Sequence, residues 1–231
     1  MNNENYLYDD NIGKIELVQH MGEDITVVNS ARVSFGVQKD VLDDKDKKLI
    51  NYLIKHQHTS TLEHNIATFR IKVPLFVRSQ HHRHRTWSYN EISRRYTDSD
   101  LQFYIPTAYR TQHKSNRQAS NVDDLINPQM SSYPILLGSR LCNEAVEHHT
   151  KVSLELYEDM IDKGIAREQA RMILPQNLYT EYYATANLNN ILKFISLRTH
   201  EGAQWEIQRL AEGMLEIISN LWPVTVSSYR N

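Results

Sequence analysis

Between positions 65 and 74, in "NIATFRIKVP", Ala67, Phe69, Ile71 and Val73 alternate with Ile66, Thr68, Arg70 and Lys72. A period of two puts each set on its own face of a pleated strand, which predicts a half-buried strand ended by Pro74. Elsewhere the period is helical. "DDKDKKLINYLIKHQ" (43–57) opens on acids and sets Leu49, Ile50, Leu53 and Ile54 on one side, predicting an amphipathic helix. "EDITVVNSARVSF" (23–35) has helical spacing, and "KIELVQH" (14–20) reads as a short strand. "LFVRSQHHRHR" starts as a helix and runs into a basic stretch. A long helical region over 134–162 is expected to stop at Gly164, and two more helices fill 188–198 and 203–220. "QNLYTEYYATAN" (176–187) reads as a second strand region or an irregular one. Residues 110–132 are rich in Gln, Asn and Ser, which predicts a long surface loop or insertion. With no linker or repeat, the pattern implies one α+β domain over 1–231, mostly helical around a small mixed or antiparallel sheet.

Composition changes this picture little. The 231 residues are 40% hydrophobic and 23% charged with a formal net charge of -2, the profile of an ordinary globular protein rather than of a wholly basic nucleic-acid binder. The start "MNNENYLYDDN" is polar, and no run of apolar residues is long enough to span a bilayer, so neither a secretory signal nor a membrane segment is expected. The single cysteine, Cys142, cannot form an internal disulfide and fits the cytoplasm.

Local charge changes it more. "HHRHRTWSYNEISRRY" (81–96) holds four arginines and three histidines against one acid, Glu91. A solvated face is the ordinary reading of such a run, but the interleaved Trp87, Tyr89, Ile92 and Tyr96 argue for partial burial. Clustered guanidinium groups suit phosphate, which they pair bidentately. The seven glycines are scattered and form no phosphate-cradling loop, so a bound nucleotide would be held by side chains. His81, His82 and His84 have no accompanying cysteine or carboxylate pattern, and no metal site is expected.

Arg83-His84-Arg85, seven further residues and then Ser93 form a motif that resembles the signature of the flavin-dependent thymidylate synthases. Other blocks are similar to that family in the same order: "SARVSF" (30–35), "HQHTSTLEHNIATFRIKVPLFVRSQ" (56–80) and "ARMILPQNLYTEYYATANLNNILKFISLRTHEGAQWEIQ" (170–208). The resemblance implies the reductive methylation of dUMP to dTMP. The one-carbon unit would come from 5,10-methylenetetrahydrofolate and the electrons from NADPH through FAD. It also implies a homotetramer with active sites at subunit interfaces. By matching position, Arg83, His84, Arg85, Glu91, Ser60 and Asn187 would contact FAD, with His58 near the flavin. Gln80, Arg83, Glu91, Ser93, Arg95 and Arg171 would line the dUMP site, and Arg198 would be catalytic beside the uracil. Two departures stand out. Thr61-Leu62 replaces the family's usual Pro-Phe, and Asn189 stands where the family often has arginine, with Lys193 placed to restore the charge at the FAD.

The chemistry agrees with these roles. Hydride addition to uracil builds negative charge that a fixed guanidinium stabilises, and arginine is a poor general base. Neither Cys142, among apolar neighbours, nor Ser93, among arginines, has a base to activate it. A mechanism without an enzyme nucleophile is therefore expected. The rival readings are a relative that binds flavin or nucleotide without catalysis, and an RNA-binding protein that stacks bases on the basic-aromatic stretch.

Overall fold

The computed structural model describes residues 4–97, 100–131 and 140–230. β1 (Glu4–Tyr6) leads to β2 (Lys14–Met21), α1 (Asp24–Arg32) and α2 (Asp44–Lys55). β3 (Ile66–Pro74) runs directly into α3 (Leu75–His81), and β4 (Ser88–Glu91) follows the basic turn. β5 (Tyr109–Gln112) and β6 (Ser120–Ile126) form a hairpin, and β7 (Gln129–Met130) pairs with β8 (Arg140–Leu141). Then come α4 (Cys142–Asp162), α5 (Arg167–Ala170), β9 (Tyr179–Asn187), α6 (Leu188–Arg198), α7 (Trp205–Leu221) and α8 (Pro223–Arg230). Among the described residues no helix is long and apolar enough to cross a membrane.

The main sheet has the order β1-β2-β3-β9-β4 and is antiparallel throughout. The alternation in β3 decides its faces. Ala67, Phe69, Ile71 and Val73 are wholly buried on one side and pair in register with Ala186, Ala184, Tyr182 and Thr180 of β9. Across the other side Thr68 bonds Thr185 at 2.9 Å, and Arg70 meets Glu181 at 2.5 Å. Helices cover the buried side. Ile207, Leu210, Ala211 and Met214 of α7 join Ile191, Leu192 and Phe194 of α6 in the main core. Gly213 allows that approach, because a Cβ there would sit 2.9 Å from Leu7 and 3.1 Å from Ile15. A smaller cluster of Tyr157, Ala170, Leu174 and Leu178 packs under α4.

The structure departs from the sequence pattern in three places and settles one open reading. Within 110–131, where a long surface loop or insertion is expected, the chain forms strands, because Arg110, Thr111 and Asn121 supply cross-strand hydrogen bonds that an apolar pattern does not register. The expected helix over 134–162 begins at Cys142 among the described residues, since Arg140 and Leu141 pair with β7; 132–139 lie outside those residues. It ends at Asp162 with Lys163 as its C-cap, and Gly164 is left-handed at φ +82 as the stop requires. Of the two readings open for 176–187, the strand holds over Tyr179–Asn187. Finally, α8 follows α7 directly, held by Asp24, whose carboxylate accepts from the backbone N–H groups of Val224 and Thr225, both at 2.9 Å. Trp222, fully buried, donates its indole N–H to the Gly22 carbonyl at 2.9 Å.

Candidate active site

The basic stretch does not present one surface. α3 ends at His81, residues 82–87 turn, and β4 starts at Ser88, so successive side chains leave in different directions. His81 points inward: it is fully buried, with Nδ1 2.9 Å from the Tyr182 hydroxyl and Trp87, Tyr89 and Phe194 around its ring. Burial, followed by the repulsion of nearby cationic groups, pushes its pKa well below the ordinary value and keeps it neutral. His82 lies on the Tyr89 ring, with centroids 4.2 Å apart. His84 turns toward α6, where its Nε2 accepts from Arg198 Nε at 3.2 Å. Burial and then the charge of Arg198 lower the His84 pKa to about 4, so the ring serves as a neutral acceptor. Arg83 and Arg85 are exposed. No three His, Cys, Asp or Glu side chains among the described residues converge as a metal site requires.

Arg198 closes α6 and is held at two points, since its Nη2 also donates to the Gln80 carbonyl at 3.4 Å. Burial lowers its pKa, yet a guanidinium stays protonated at any working pH. The Gln80 side chain donates in turn to Gln204 Oε1 at the start of α7. Arg198, His84, Gln80 and Gln204 thus form one polar cluster, although they are spread over more than 120 positions of sequence, as the 124-residue separation of Gln80 and Gln204 shows.

Arg78 leaves α3 about 200° away from Gln80, because each helical residue turns about 100°. It faces a cleft of about 460 Å³ lined by Arg78, Glu91, Ser93, Arg94, Arg95 and Arg171. Among the described residues that line it, Glu91 is the one carboxylate. Its Oε1 accepts from Arg78 Nε at 3.0 Å and from the Thr180 hydroxyl at 2.6 Å, and guanidinium groups outnumber carboxylates among the described lining residues. Ser93 Oγ accepts from the Arg95 backbone N–H at 3.3 Å and has no carboxylate or imidazole partner among the described residues. Arg95 stacks over Tyr96 at 5.1 Å, and Arg171 Nε donates to the Glu168 carbonyl at 3.4 Å. Such a cleft suits a phosphate, whose oxygens accept from several forks at once.

A third group sits elsewhere. His58 and Ser60 are exposed around the tight turn Thr59–Leu62, which the Thr61 hydroxyl braces by donating to the His58 carbonyl at 2.9 Å. Asn187 caps α6 by accepting from the Asn190 N–H at 3.0 Å. Asn189 is buried and donates to Glu63 Oε1 at 3.1 Å, while Lys193 is exposed. Glu91 lies in register with Tyr182, and Asn187 is five residues further along β9, roughly 16 Å at strand rise. The chain therefore brings together Gln80, His84 and Arg198, and separately Glu91, Ser93, Arg95 and Arg171. It keeps His58, Ser60, Asn187, Asn189 and Lys193 apart from that cleft.

Sequence reasoning missed Arg78, Thr180, Gln204 and the buried His81. Arg78 and Gln204 lie inside the matched blocks, so their position was the available signal; their partners are set only by the fold. Cys142 is the first residue of α4, with its N–H bonded to the Pro128 carbonyl at 2.9 Å, and it lines neither cleft. A second, smaller cleft of about 220 Å³ lies beneath the hairpin, between Tyr8, Tyr104, Arg110 and Trp205.

Residues 16–224 match the family described as thymidylate synthase complementing protein. A flavin-dependent thymidylate synthase of Thermus thermophilus is 40% identical over 220 residues, spanning 94% of this chain and 75% of its own. Another, from Kosmotoga olearia, is 40% identical over 221 residues, spanning 95% and 90%. The fold also matches the crystal structure of a UMP/dUMP methylase, PolB, from Streptomyces cacaoi bound with 5-Br dUMP. The TM-score is 0.78 at 33% identity, with 94% of both chains covered. Fold, ordered motifs and a match over nearly the whole length agree, and the chain belongs to the flavin-dependent thymidylate synthase family.

Proposed function

We propose that this chain, as one domain over residues 1–231, reductively methylates dUMP to dTMP as a cytoplasmic, FAD-dependent homotetramer. The one-carbon donor is 5,10-methylenetetrahydrofolate and NADPH supplies the electrons. Two observations carry this reading: the cleft lined by four arginines and, on the other side of α3, the clamped Arg198. In the cleft Ser93, Arg95 and Arg171 hold the nucleotide phosphate, while Glu91 keeps Arg78 from competing for it. Gln80 and Arg198 meet the base, and the Arg198 charge, fixed by His84 and the Gln80 carbonyl, faces the negative charge that develops on uracil.

The residues present fit FAD. The chain lacks a glycine-rich loop, and Arg83, Arg85 and Lys193 are exposed and in no ion pair among the described residues, which leaves them for a pyrophosphate. His84, neutral, and Glu91 border the same turn; Ser60, Asn187 and Asn189 would complete the pocket, with His58 near the flavin ring. When bound, the flavin supplies hydride. The roughly 16 Å between Glu91 and Asn187 supports a site assembled from more than one copy. So does a patch of Val33, Phe35 and Val41, which are 72%, 83% and 75% exposed.

The test is to incubate the purified protein with FAD, dUMP, methylenetetrahydrofolate and NADPH. The expected result is flavin absorbance in the protein and dTMP that depends on all four. A folded protein that bound RNA with steep salt dependence and took up no flavin would overturn the reading. Flavin and dUMP binding without turnover would mark a non-catalytic relative instead.

A further inference from the structure

The contacts of Gln80 do not stop at Gln204. Gln204 Nε2 donates to Glu206 Oε2 at 2.9 Å. The other carboxylate oxygen, Oε1, accepts from Arg110 on the hairpin and from the Tyr104 hydroxyl at 3.4 Å. Glu206 is buried, and Arg110 is further held 4.9 Å above the Trp205 ring. A continuous chain of hydrogen bonds therefore runs from a buried ion pair, at the smaller cleft, to a residue of the nucleotide site.

Such a chain has a direction. A carboxylate accepts hydrogen bonds and donates none, so the atom that Gln204 turns to Glu206 must be its NH2. The Gln204 oxygen then faces Gln80, and the Gln80 NH2 must face Gln204. What remains for a ligand is the side-chain oxygen of Gln80, Oε1, which no hydrogen bond engages among the described residues; the backbone carbonyl is the one taken by Arg198. We infer that Glu206 is a positioning residue: through Gln204 it orients the Gln80 carboxamide so that its Oε1 accepts from a hydrogen-bond donor on the nucleotide. This rests on the dUMP reading above. dUMP offers two such donors, the base N3–H and the sugar 3′-hydroxyl.

The inference predicts an inversion. In Glu206→Gln the new carboxamide keeps its oxygen toward Arg110 and Tyr104 and turns its NH2 to Gln204. Gln204 must then flip, and Gln80 after it, so that Gln80 presents NH2 where it had presented oxygen. Every link stays hydrogen-bonded, but the site faces the ligand donor with another donor. The double variant Gln204→Glu/Glu206→Gln restores the original direction, because the carboxylate at position 204 again accepts from Gln80.

The experiment measures dUMP binding to flavin-loaded protein by calorimetry, with melting temperature and flavin content recorded for each variant. Glu206→Gln should weaken dUMP binding about tenfold, the worth of one hydrogen bond set the wrong way, with flavin retained. The double variant should recover most of that loss. Gln204→Leu, which interrupts the relay while leaving Glu206 and Arg110 paired, should weaken binding in the same direction and serves if Glu206→Gln fails to fold. The N3-methyl and 3′-deoxy analogues of dUMP identify the donor: for the analogue lacking it, Glu206→Gln should bind no worse than the wild type. Undiminished dUMP binding in Glu206→Gln or Gln204→Leu, no recovery in the folded double variant, or an equal penalty with both analogues would overturn the inference alone. Failure of the wild-type protein to bind dUMP would overturn the nucleotide reading and this inference with it.

Discussion

Arg198 carries one charge, but its usefulness depends on two fixed donors. Arg198→Lys keeps a cation and loses the fork that reaches both His84 Nε2 and the Gln80 carbonyl. We expect dTMP formation to fall about a hundredfold or more, with dUMP and flavin still bound; single-turnover rates check this. Full activity in that variant would reduce Arg198 to a cation at a helix end. His84 and His81 also couple the site to pH. Their folded pKa values lie below the ordinary histidine value, to about 4 for His84, so the unfolded chain binds more protons in that window. Their contribution to stability is present above about pH 6.5 and is lost as pH falls toward 4. Melting temperature should drop on acidification across that range, and His84→Asn, which does not titrate, should flatten part of the slope. Among the described residues neither Ser93 nor Cys142 has a carboxylate or imidazole hydrogen-bond partner to activate it, so Cys142→Ala and Ser93→Ala should both keep measurable dTMP synthesis, the latter with weaker dUMP binding. A covalent uridylyl adduct on either side chain would contradict this.

At the level of elements, two segments with weak apolar signals are tied down by single carboxylates. Asp24 accepts from two backbone N–H groups and the Thr225 hydroxyl at the first turn of α8. Asp24→Ala leaves those donors buried and should cost about 2 kcal/mol, read as a lower denaturant midpoint at unchanged slope. The hairpin β5–β6 is anchored by Arg110 on Glu206. Arg110→Met strands a buried carboxylate and should cost about 3 kcal/mol or more, measured the same way. Neither anchor was legible in the sequence, because Asp24 and Thr225 stand 201 positions apart and Arg110 and Glu206 stand 96 apart. The strand β3, by contrast, was legible from its alternation alone, as was α2 from its apolar stripe and acidic start.

For the whole molecule, the apolar patch at Val33, Phe35 and Val41 follows α1, whose Ser30 hydroxyl donates to the Thr61 carbonyl at 3.3 Å beside Ser60. Assembly through this patch would therefore reach the turn that carries His58 and Ser60. If the proposed tetramer assembles through this patch, Phe35→Asp should lower the mass seen by light scattering below that of the wild type and release flavin together with it. A variant that stayed tetrameric would place the interface elsewhere.

What the sequence determined by itself was local periodicity and the ordered motifs. Those suffice for β3, α2, α6 and α7, for the α+β class, and for the positions of the arginines, because each depends on neighbours within a few residues or on matching blocks. Only the tertiary structure decided which arginine is neutralised and which is left for a ligand. Arg78 is taken by Glu91 through the register of β4 on β9, and Arg198 is clamped by His84, 114 positions away. It also decided that β5 and β6 pair within the Gln-, Asn- and Ser-rich region, since cross-strand polar contacts leave no apolar pattern. The direction of the Gln80 carboxamide belongs to the same class. It follows from where a buried carboxylate ends a chain of hydrogen bonds, and glutamine is symmetric enough in shape that no local pattern records which end faces the substrate.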